Sequence, residues 1–170
     1  MIGCKCKGEA RNKIKFSNTL IHRKEGGVYV YQIILVSHNG LAKAMYETAQ
    51  LIVGEHPGVL VFGLDLEDDI EHFREKVTNA VKRSLKTGDV LILSDIQSGS
   101  PFNVTVGIME KYNLMHFTGM NLAMVLEAIC SQRTISLQKI SENLEELGQN
   151  AVMNVNELLS KQLQDNEEND

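Results

Sequence analysis

Short apolar runs alternate with stretches of helical spacing from residue 30 onward. Each run is brief and β-rich, which is typical of a strand buried on both faces. Four strands are predicted, the last one weaker than the others: residues 33–36, 59–64, 90–93 and 114–118. Elsewhere apolar residues recur at helical spacing, which predicts amphipathic helices. These helices cover residues 41–53, 66–86, 101–111, 121–131 and a C-terminal stretch from residue 136 that is interrupted at Gly148.

The alternation of strands and helices predicts an α/β fold with one mainly parallel, four-stranded sheet. With the common strand order 2-1-3-4, right-handed crossovers place helices on both faces and give three layers. No internal repeat or linker interrupts residues 30–160, so we expect one domain there. In such sheets the functional crevice lies beyond the carboxyl ends of the strands. Candidate functional residues should therefore follow the strands directly.

The chain has 170 residues, 43% of them apolar and 23% charged, as in an ordinary globular domain. No apolar run approaches the roughly 18 residues of a membrane span. Three cysteines make no disulfide framework, so we expect a cytoplasmic protein. Residues 1–29 carry seven Lys and Arg against two Asp and Glu, whereas residues 30–170 carry ten against twenty. This acidic body argues against a nucleic-acid partner.

The basic residues 1–29 lack hydrophobic periodicity and differ in composition from the rest of the chain. Three interpretations are open: a disordered basic tail, an arm that touches anionic surfaces or nucleic acid, or a segment that is not native. In the third interpretation, translation begins at Val30. This interpretation rests on the codons of residues 25–27, which can form a purine-rich ribosome-binding signal. Residues 30–160 then form the domain, and residues 161–170 form an acidic tail.

The residues that follow the first and third strands suggest one chemistry. His38 follows the first predicted strand and Asp95 the third. Since the order 2-1-3-4 makes these strands neighbours, the two side chains would meet. A carboxylate bonded to one imidazole nitrogen fixes the tautomer and leaves the other nitrogen as a nucleophile.

The loop after the third strand could hold the group that this nucleophile attacks. Ser100 and Pro101 are typical of an N-cap and a first helical turn. With Ser98 and Gly99 they would present backbone N–H groups at a helix N-terminus, which suits a phosphoryl group. The chain has no Gly-x-x-x-x-Gly-Lys-Ser/Thr loop, so ATP is not expected as the donor.

Three motifs follow one another along the chain. They are Ser-His-x-Gly-Leu-Ala from Ser37, Asp-x-x-x-Gly-Ser-Pro-Phe-Asn from Asp95, and Gly-x-Asn-Leu-x-Met-x-Leu-Glu-Ala from Gly119. In this order and spacing the chain resembles the IIA component of the mannose-family sugar phosphotransferase system, over residues 30–155. The resemblance implies a parallel sheet with helices on both faces. It also implies a homodimer in which one antiparallel strand is exchanged between subunits.

The resemblance further implies that His38 takes a phosphoryl group from the phosphocarrier protein HPr, on Nε2. His38 would pass it to a IIB component, which phosphorylates sugar during uptake through the membrane permease IIC and IID. Asp95 would orient His38. The phosphate-binding residues expected around them are Asn39, Ser98, Gly99 and Ser100. No cofactor and no metal is implied.

The chain departs from the family pattern at a few positions. The family usually has glycine where this chain has Asn39 and Ser98, and proline is common where it has Ala123. Three other functions stay open: a regulatory module whose phosphorylation reports sugar flux, the related subunit of a dihydroxyacetone kinase system, and a catalytically inactive binding domain. The sequence does not identify the sugar, which the IIA component does not contact.

Overall fold

The computed structural model describes residues 30–160. Its elements are, in chain order, β1 (Tyr31–His38), α1 (Leu41–Val53), β2 (Val59–Leu64), α2 (Ile70–Ser84), β3 (Asp89–Ser94), α3 (Ser100–Met109), β4 (Met115–Thr118), α4 (Leu122–Ser131) and α5 (Leu137–Asn150). Residues 155–160 are also helical. Within the described part, no helix has both the length and the apolar character needed to cross a membrane.

The four strands form one parallel sheet in the order β2-β1-β3-β4, which confirms the predicted fold class and strand order. β1 is central: His38 is opposite Leu64 of β2, and Val36 is opposite Ser94 of β3. Strands flank β1 on both sides and helices cover both faces, so residues 33–37 are fully buried. This burial explains why β1 reads as a continuous apolar run.

Two apolar layers separate the sheet from its helices, because successive strand residues point to opposite faces. One layer joins the sheet to α1, α4 and α5 and includes Ile33, Leu35, Leu91, Val125 and Leu144. The other joins it to α2 and α3 and includes Ile34, Val36, Ile92, Val77 and Val104. The fold therefore has the three layers that were predicted.

The second helix begins later than predicted. It was expected from residue 66, but α2 is capped by Asp69, whose Oδ1 accepts the N–H of His72 at 2.8 Å. The preceding residues form a turn in which Asp68 Oδ2 accepts the N–H of Asp65 at 3.0 Å. Short acidic side chains bind backbone donors in such turns as readily as at helix starts. The acidic run therefore spans a turn and a cap.

Gly148 does not interrupt the C-terminal helix, and that prediction is wrong. α5 continues through Gly148, and the break falls at residues 151–154. A Cβ at Gly148 would lie 2.6 Å from Met124 Sδ, and its carbonyl accepts the side-chain N–H of Asn121 at 3.0 Å. The glycine thus lets α5 pack closely on the start of α4.

Two predictions are not tested by this fold. Within residues 30–160 all four strands are parallel, so the antiparallel strand exchanged in a dimer stays a prediction. The interpretations of residues 1–29 and 161–170 lie outside the described residues.

Candidate active site

The turn after β1 is held by β1 itself and by β2. Ser37 is fully buried, and its Oγ accepts the N–H of Ala42 at 2.8 Å, in the first turn of α1. Asn39 has a left-handed backbone, with φ 45°. Its N–H donates to the carbonyl of Leu64 at 2.9 Å. These bonds fix His38 at the carboxyl edge of the sheet.

Gly63 of β2 supports this turn, although it is not among the predicted site residues. A Cβ on Gly63 would collide with the carbonyl oxygen of Asn39. Glycine is therefore what lets the turn lie directly against β2. A glycine inside an apolar strand is the sequence signal that could have indicated this close approach.

His38 and Asp95 meet, as the strand order predicts. Asp95 Oδ2 lies 2.8 Å from His38 Nδ1 and accepts the backbone N–H of His38 at 2.8 Å. Asp95 Oδ1 accepts the N–H of Ile96 at 2.9 Å. Burial alone would raise the pKa of the Asp95 carboxyl, but the hydrogen bonds from His38 and Ile96 hold that pKa below its usual value.

The ionisation of Asp95 favours one tautomer of the His38 ring. An ionised carboxylate beside Nδ1 keeps the ring proton there, and Nε2 retains its lone pair. The side chain of Asp95 is only 8% exposed, whereas that of His38 is 47% exposed. The carboxylate is thus shielded from solvent, while the imidazole is half-exposed.

The start of α3 lies against the free nitrogen. A Cβ on Gly99 would be 2.5 Å from His38 Cε1 and 3.1 Å from His38 Nε2. The backbone of Gly99 therefore packs directly on the ring edge that Asp95 leaves unbonded. Any larger residue would displace the imidazole.

Gly99, not Ser100, is the N-cap of α3, which corrects the prediction. Ser100 is the first helical residue, Pro101 lies in the first turn, and no side chain caps this helix. Ser98 has φ 66°, a conformation that serine adopts where its surroundings impose it. The N–H groups of this first turn have no capping side chain, as at an anion-binding helix start.

The predicted site residues gather at one edge of the sheet. Asp95 and Gly99 contact the His38 ring. The other three predicted residues lie next to these in the chain: Asn39, Ser98 and Ser100. Among the described residues, no three His, Cys, Asp or Glu side chains are arranged to hold a metal ion.

A second histidine lies close to the carboxyl edge of the sheet, against the last residue of β3. His116 of β4 places its Nε2 2.8 Å from Ser94 Oγ, and its ring centroid is 5.4 Å from that of Phe102 in α3. Burial lowers the pKa of His116 to about 4, so the ring is neutral at neutral pH. His116 is not among the predicted site residues, because it lies in a weak strand outside the motifs.

The fold and the site together define a class: a three-layer α/β domain with a His–Asp pair at the carboxyl edge of its sheet, beside a helix N-terminus. The sequence model of the family described as "PTS system fructose IIA component" matches residues 32–145. The chain belongs to this family, the IIA components of the mannose, fructose and sorbose branch of the phosphotransferase system.

Individual relatives agree with this assignment. The sorbose-specific EIIA component of Lacticaseibacillus casei is 29% identical over 114 residues, which cover 66% of this chain and 82% of the relative. The fructose-specific EIIA component of Bacillus subtilis is 26% identical over 130 residues, or 76% and 89% of the two chains. Among solved structures, a PTS IIA protein associated with the fucose utilization operon of Streptococcus pneumoniae superposes with a TM-score of 0.69. It is 29% identical, and the match covers 78% of this chain and 98% of that one.

Proposed function

We propose that this protein is a phosphocarrier whose His38 accepts a phosphoryl group from phospho-HPr and passes it to a IIB component. The observation that best supports this proposal is the setting of the His38 ring, which is hydrogen-bonded at Nδ1 to Asp95 and packs at its Nε2 edge on Gly99. Membership of the IIA family supports the same role. The protein then acts as a phosphotransferase with a phosphohistidine intermediate.

The transfer forms one bond and breaks another. The lone pair of His38 Nε2 attacks the phosphorus of phospho-HPr, and the bond to the carrier breaks, leaving its electron pair on the carrier. The Nδ1 proton stays on His38, where the Asp95 carboxylate balances the positive charge of the phosphorylated ring. In the second transfer an acceptor atom of IIB attacks the phosphorus, and Nε2 recovers its lone pair.

The start of α3 would stabilise the phosphoryl oxygens during both transfers. Its N-terminus carries a partial positive charge, and its first-turn N–H groups lie beside Gly99. The hydroxyls of Ser98 and Ser100 and the turn at Asn39 would complete the phosphate-binding set. Phosphoryl transfer relies mainly on such positioning and charge stabilisation.

We also propose that the protein works in the cytoplasm as a homodimer, upstream of the membrane permease IIC and IID. Several apolar side chains near the end of the described chain are open to solvent in a single copy. Val152, Met153, Val155 and Leu159 are 84, 60, 58 and 53% exposed. A second copy would cover such a surface, and light scattering should report twice the chain mass.

Phosphorylation from phosphoenolpyruvate through enzyme I and HPr tests the central proposal. The wild type should gain an acid-labile phosphate, and His38→Ala should gain none while keeping its fold. His72→Ala is the matched control, because His72 is an exposed histidine on α2, and it should be labelled like the wild type. Labelling retained in His38→Ala would overturn the assignment.

Onward transfer is tested by adding IIB to the labelled protein. The label should then move to IIB. A label that stays on His38 would indicate the regulatory module instead of a carrier. A wild type that is never labelled would indicate an inactive binding domain.

A further inference from the structure

We infer that His116 is a positioning residue for this phosphoryl transfer. Its side chain sets the placement of Asp95 relative to the N-terminus of α3. The inference rests on the proposed function of His38. It concerns a side chain that lies outside the three motifs and does not touch the reacting atoms.

Ser94 is the residue through which His116 acts on Asp95. Ser94 is fully buried, and its Oγ pairs with His116 Nε2 at 2.8 Å. Its carbonyl accepts the N–H of Met120 at 2.9 Å. The hydroxyl and the carbonyl of Ser94 are thus held by β4 and the turn that follows it. Since Asp95 is the next residue, any shift of Ser94 passes to the carboxylate through one peptide unit.

Phe102 is the residue through which His116 acts on α3. The two rings lie 5.4 Å apart at an interplanar angle of 43°, which is within contact range for aromatic groups. Phe102 lies in the first turn of α3, close behind Gly99. The ring of His116 therefore sets how deeply this helix start rests on the sheet. The side chain of His116 thus connects the two groups that flank His38, namely Asp95 and the start of α3.

The chemistry of histidine suits this position. A partly buried imidazole is tolerated when it is neutral and hydrogen-bonded, and its burial keeps His116 uncharged. An apolar residue could fill the same space, but it would leave the buried hydroxyl of Ser94 without its partner. Because phosphoryl transfer depends on in-line placement, a small displacement of Asp95 or Gly99 lowers its rate.

Three variants separate the two contacts. His116→Phe keeps a ring against Phe102 but removes the hydrogen bond to Ser94. Ser94→Ala removes the same hydrogen bond with the loss of one oxygen atom. His116→Gln keeps a polar group near Ser94 Oγ but removes the ring. His72→Phe and His72→Gln are matched controls on the exposed face of α2.

The measured quantities are kcat and KM for transfer from phospho-HPr and the ¹⁵N shifts of the His38 ring. We expect His116→Phe and Ser94→Ala to lower kcat about tenfold with KM within about twofold. The double variant should be no slower than either single one, because both remove one interaction. His116→Gln should recover part of the rate. The ¹⁵N shifts should report more of the tautomer protonated at Nε2.

Unchanged kcat and unchanged His38 shifts in folded His116→Phe and Ser94→Ala would overturn the inference. A loss of thermal stability alone, or a rise in KM alone, would overturn it too, since either would make His116 merely structural. If His116→Phe does not fold, Ser94→Ala decides the question. These outcomes differ from a failure of the proposed function, in which the wild type itself is not labelled at His38.

Discussion

The amino end of the sheet is closed by buried hydrogen bonds, whereas the carboxyl end of the same strands is open. At the amino end, the hydroxyl of Tyr31 donates to the carbonyl of Ala128 at 2.7 Å. The side-chain amide of Gln132 donates to the carbonyls of Tyr31 and Gly58, at 2.7 and 3.0 Å. Tyr31 and Gln132 are both fully buried, and burial, with a smaller contribution from Glu127, raises the pKa of the Tyr31 phenol.

At the carboxyl end, the backbone is unusual and the key side chain is accessible. Asn39 and Ser98 are the two described non-glycine residues with positive φ, and they flank the half-exposed His38. Gly63 and Gly99 allow close approaches that no other residue would permit. Strained backbone persists only where the surrounding structure is firmly held. We therefore expect the closed amino end to supply stability that offsets backbone strain at the open end.

Removing hydrogen bonds at the amino end of the sheet should give the largest effect on the free energy of unfolding. Gln132→Leu would remove both side-chain hydrogen bonds and leave the buried carbonyls of Tyr31 and Gly58 unpaired. Each such loss costs roughly 2 kcal/mol, so we expect the free energy of unfolding in urea to fall by about 4 kcal/mol. Phosphorylation of His38 in the folded fraction should be unchanged, because Gln132 lies at the opposite end of the sheet.

Gln138→Leu is the matched control for this change, since Gln138 is exposed on α5. We expect its free energy of unfolding to stay within about 0.5 kcal/mol of the wild type. An equal loss in both variants, or a loss of labelling in folded Gln132→Leu, would show that the two ends are not separable.

The next largest effect on the free energy of unfolding should come from lowering the pH. The pKa of His116 is about 4 when folded, against an ordinary value of 6.5. Between these values the unfolded chain binds more protons, so stability falls as pH falls from 6.5 toward 4. The loss should reach about 3 kcal/mol. His116→Gln should flatten this dependence, as measured by urea unfolding across that window, whereas His72→Gln should keep it.

Other titratable groups contribute less to the change in stability between pH 6.5 and 4. Burial and the nearby Arg133 lower the pKa of His56, which adds a smaller loss of the same sign. Burial raises the pKa of Asp89, so its contribution opposes that loss. The lowered pKa of Asp95 acts below 3.8, outside the window. A full slope that persists in His116→Gln would mean that His116 is not the neutral, partly buried group described above.

The meeting of His38 and Asp95 could be predicted because it depends on local patterns and one topological rule. Short apolar runs identify buried strands, and a parallel sheet brings the carboxyl ends of its strands to one edge. The contacts of Gly63 and His116 could not be predicted in this way. Each joins residues far apart in the chain, and only the register of the strands and the seating of α3 bring them together.

The ends of the helices were predicted less well for a different reason. Asp65, Asp68 and Asp69 can each bind a backbone N–H group, and the local pattern does not tell which of them caps α2. Gly148 is typical of a helix end by composition, yet its tertiary contact with Met124 makes it a packing position. Side chains that satisfy several local roles leave the choice to tertiary structure.

Relieving strain at the open end should give the smallest effect, and of the opposite sign. Ser98→Gly removes a side chain that disfavours φ 66°, a gain of about 1 kcal/mol that the extra freedom of glycine in the unfolded chain partly offsets. We therefore expect the free energy of unfolding in urea to rise by about 0.5 kcal/mol. The rate of His38 phosphorylation should fall at the same time, because the variant also removes a hydroxyl of the proposed phosphate-binding set.

Asn39→Gly sharpens this test on the other side of His38. Asn39 also has positive φ, but asparagine tolerates the left-handed region better than serine. Its gain should therefore be smaller than that of Ser98→Gly. If both variants lose stability instead, side-chain contacts hold these turns and the backbone there is not strained. The difference between the two ends of the sheet would then lie in exposure alone, and the amino end would not be compensating for strain at the site.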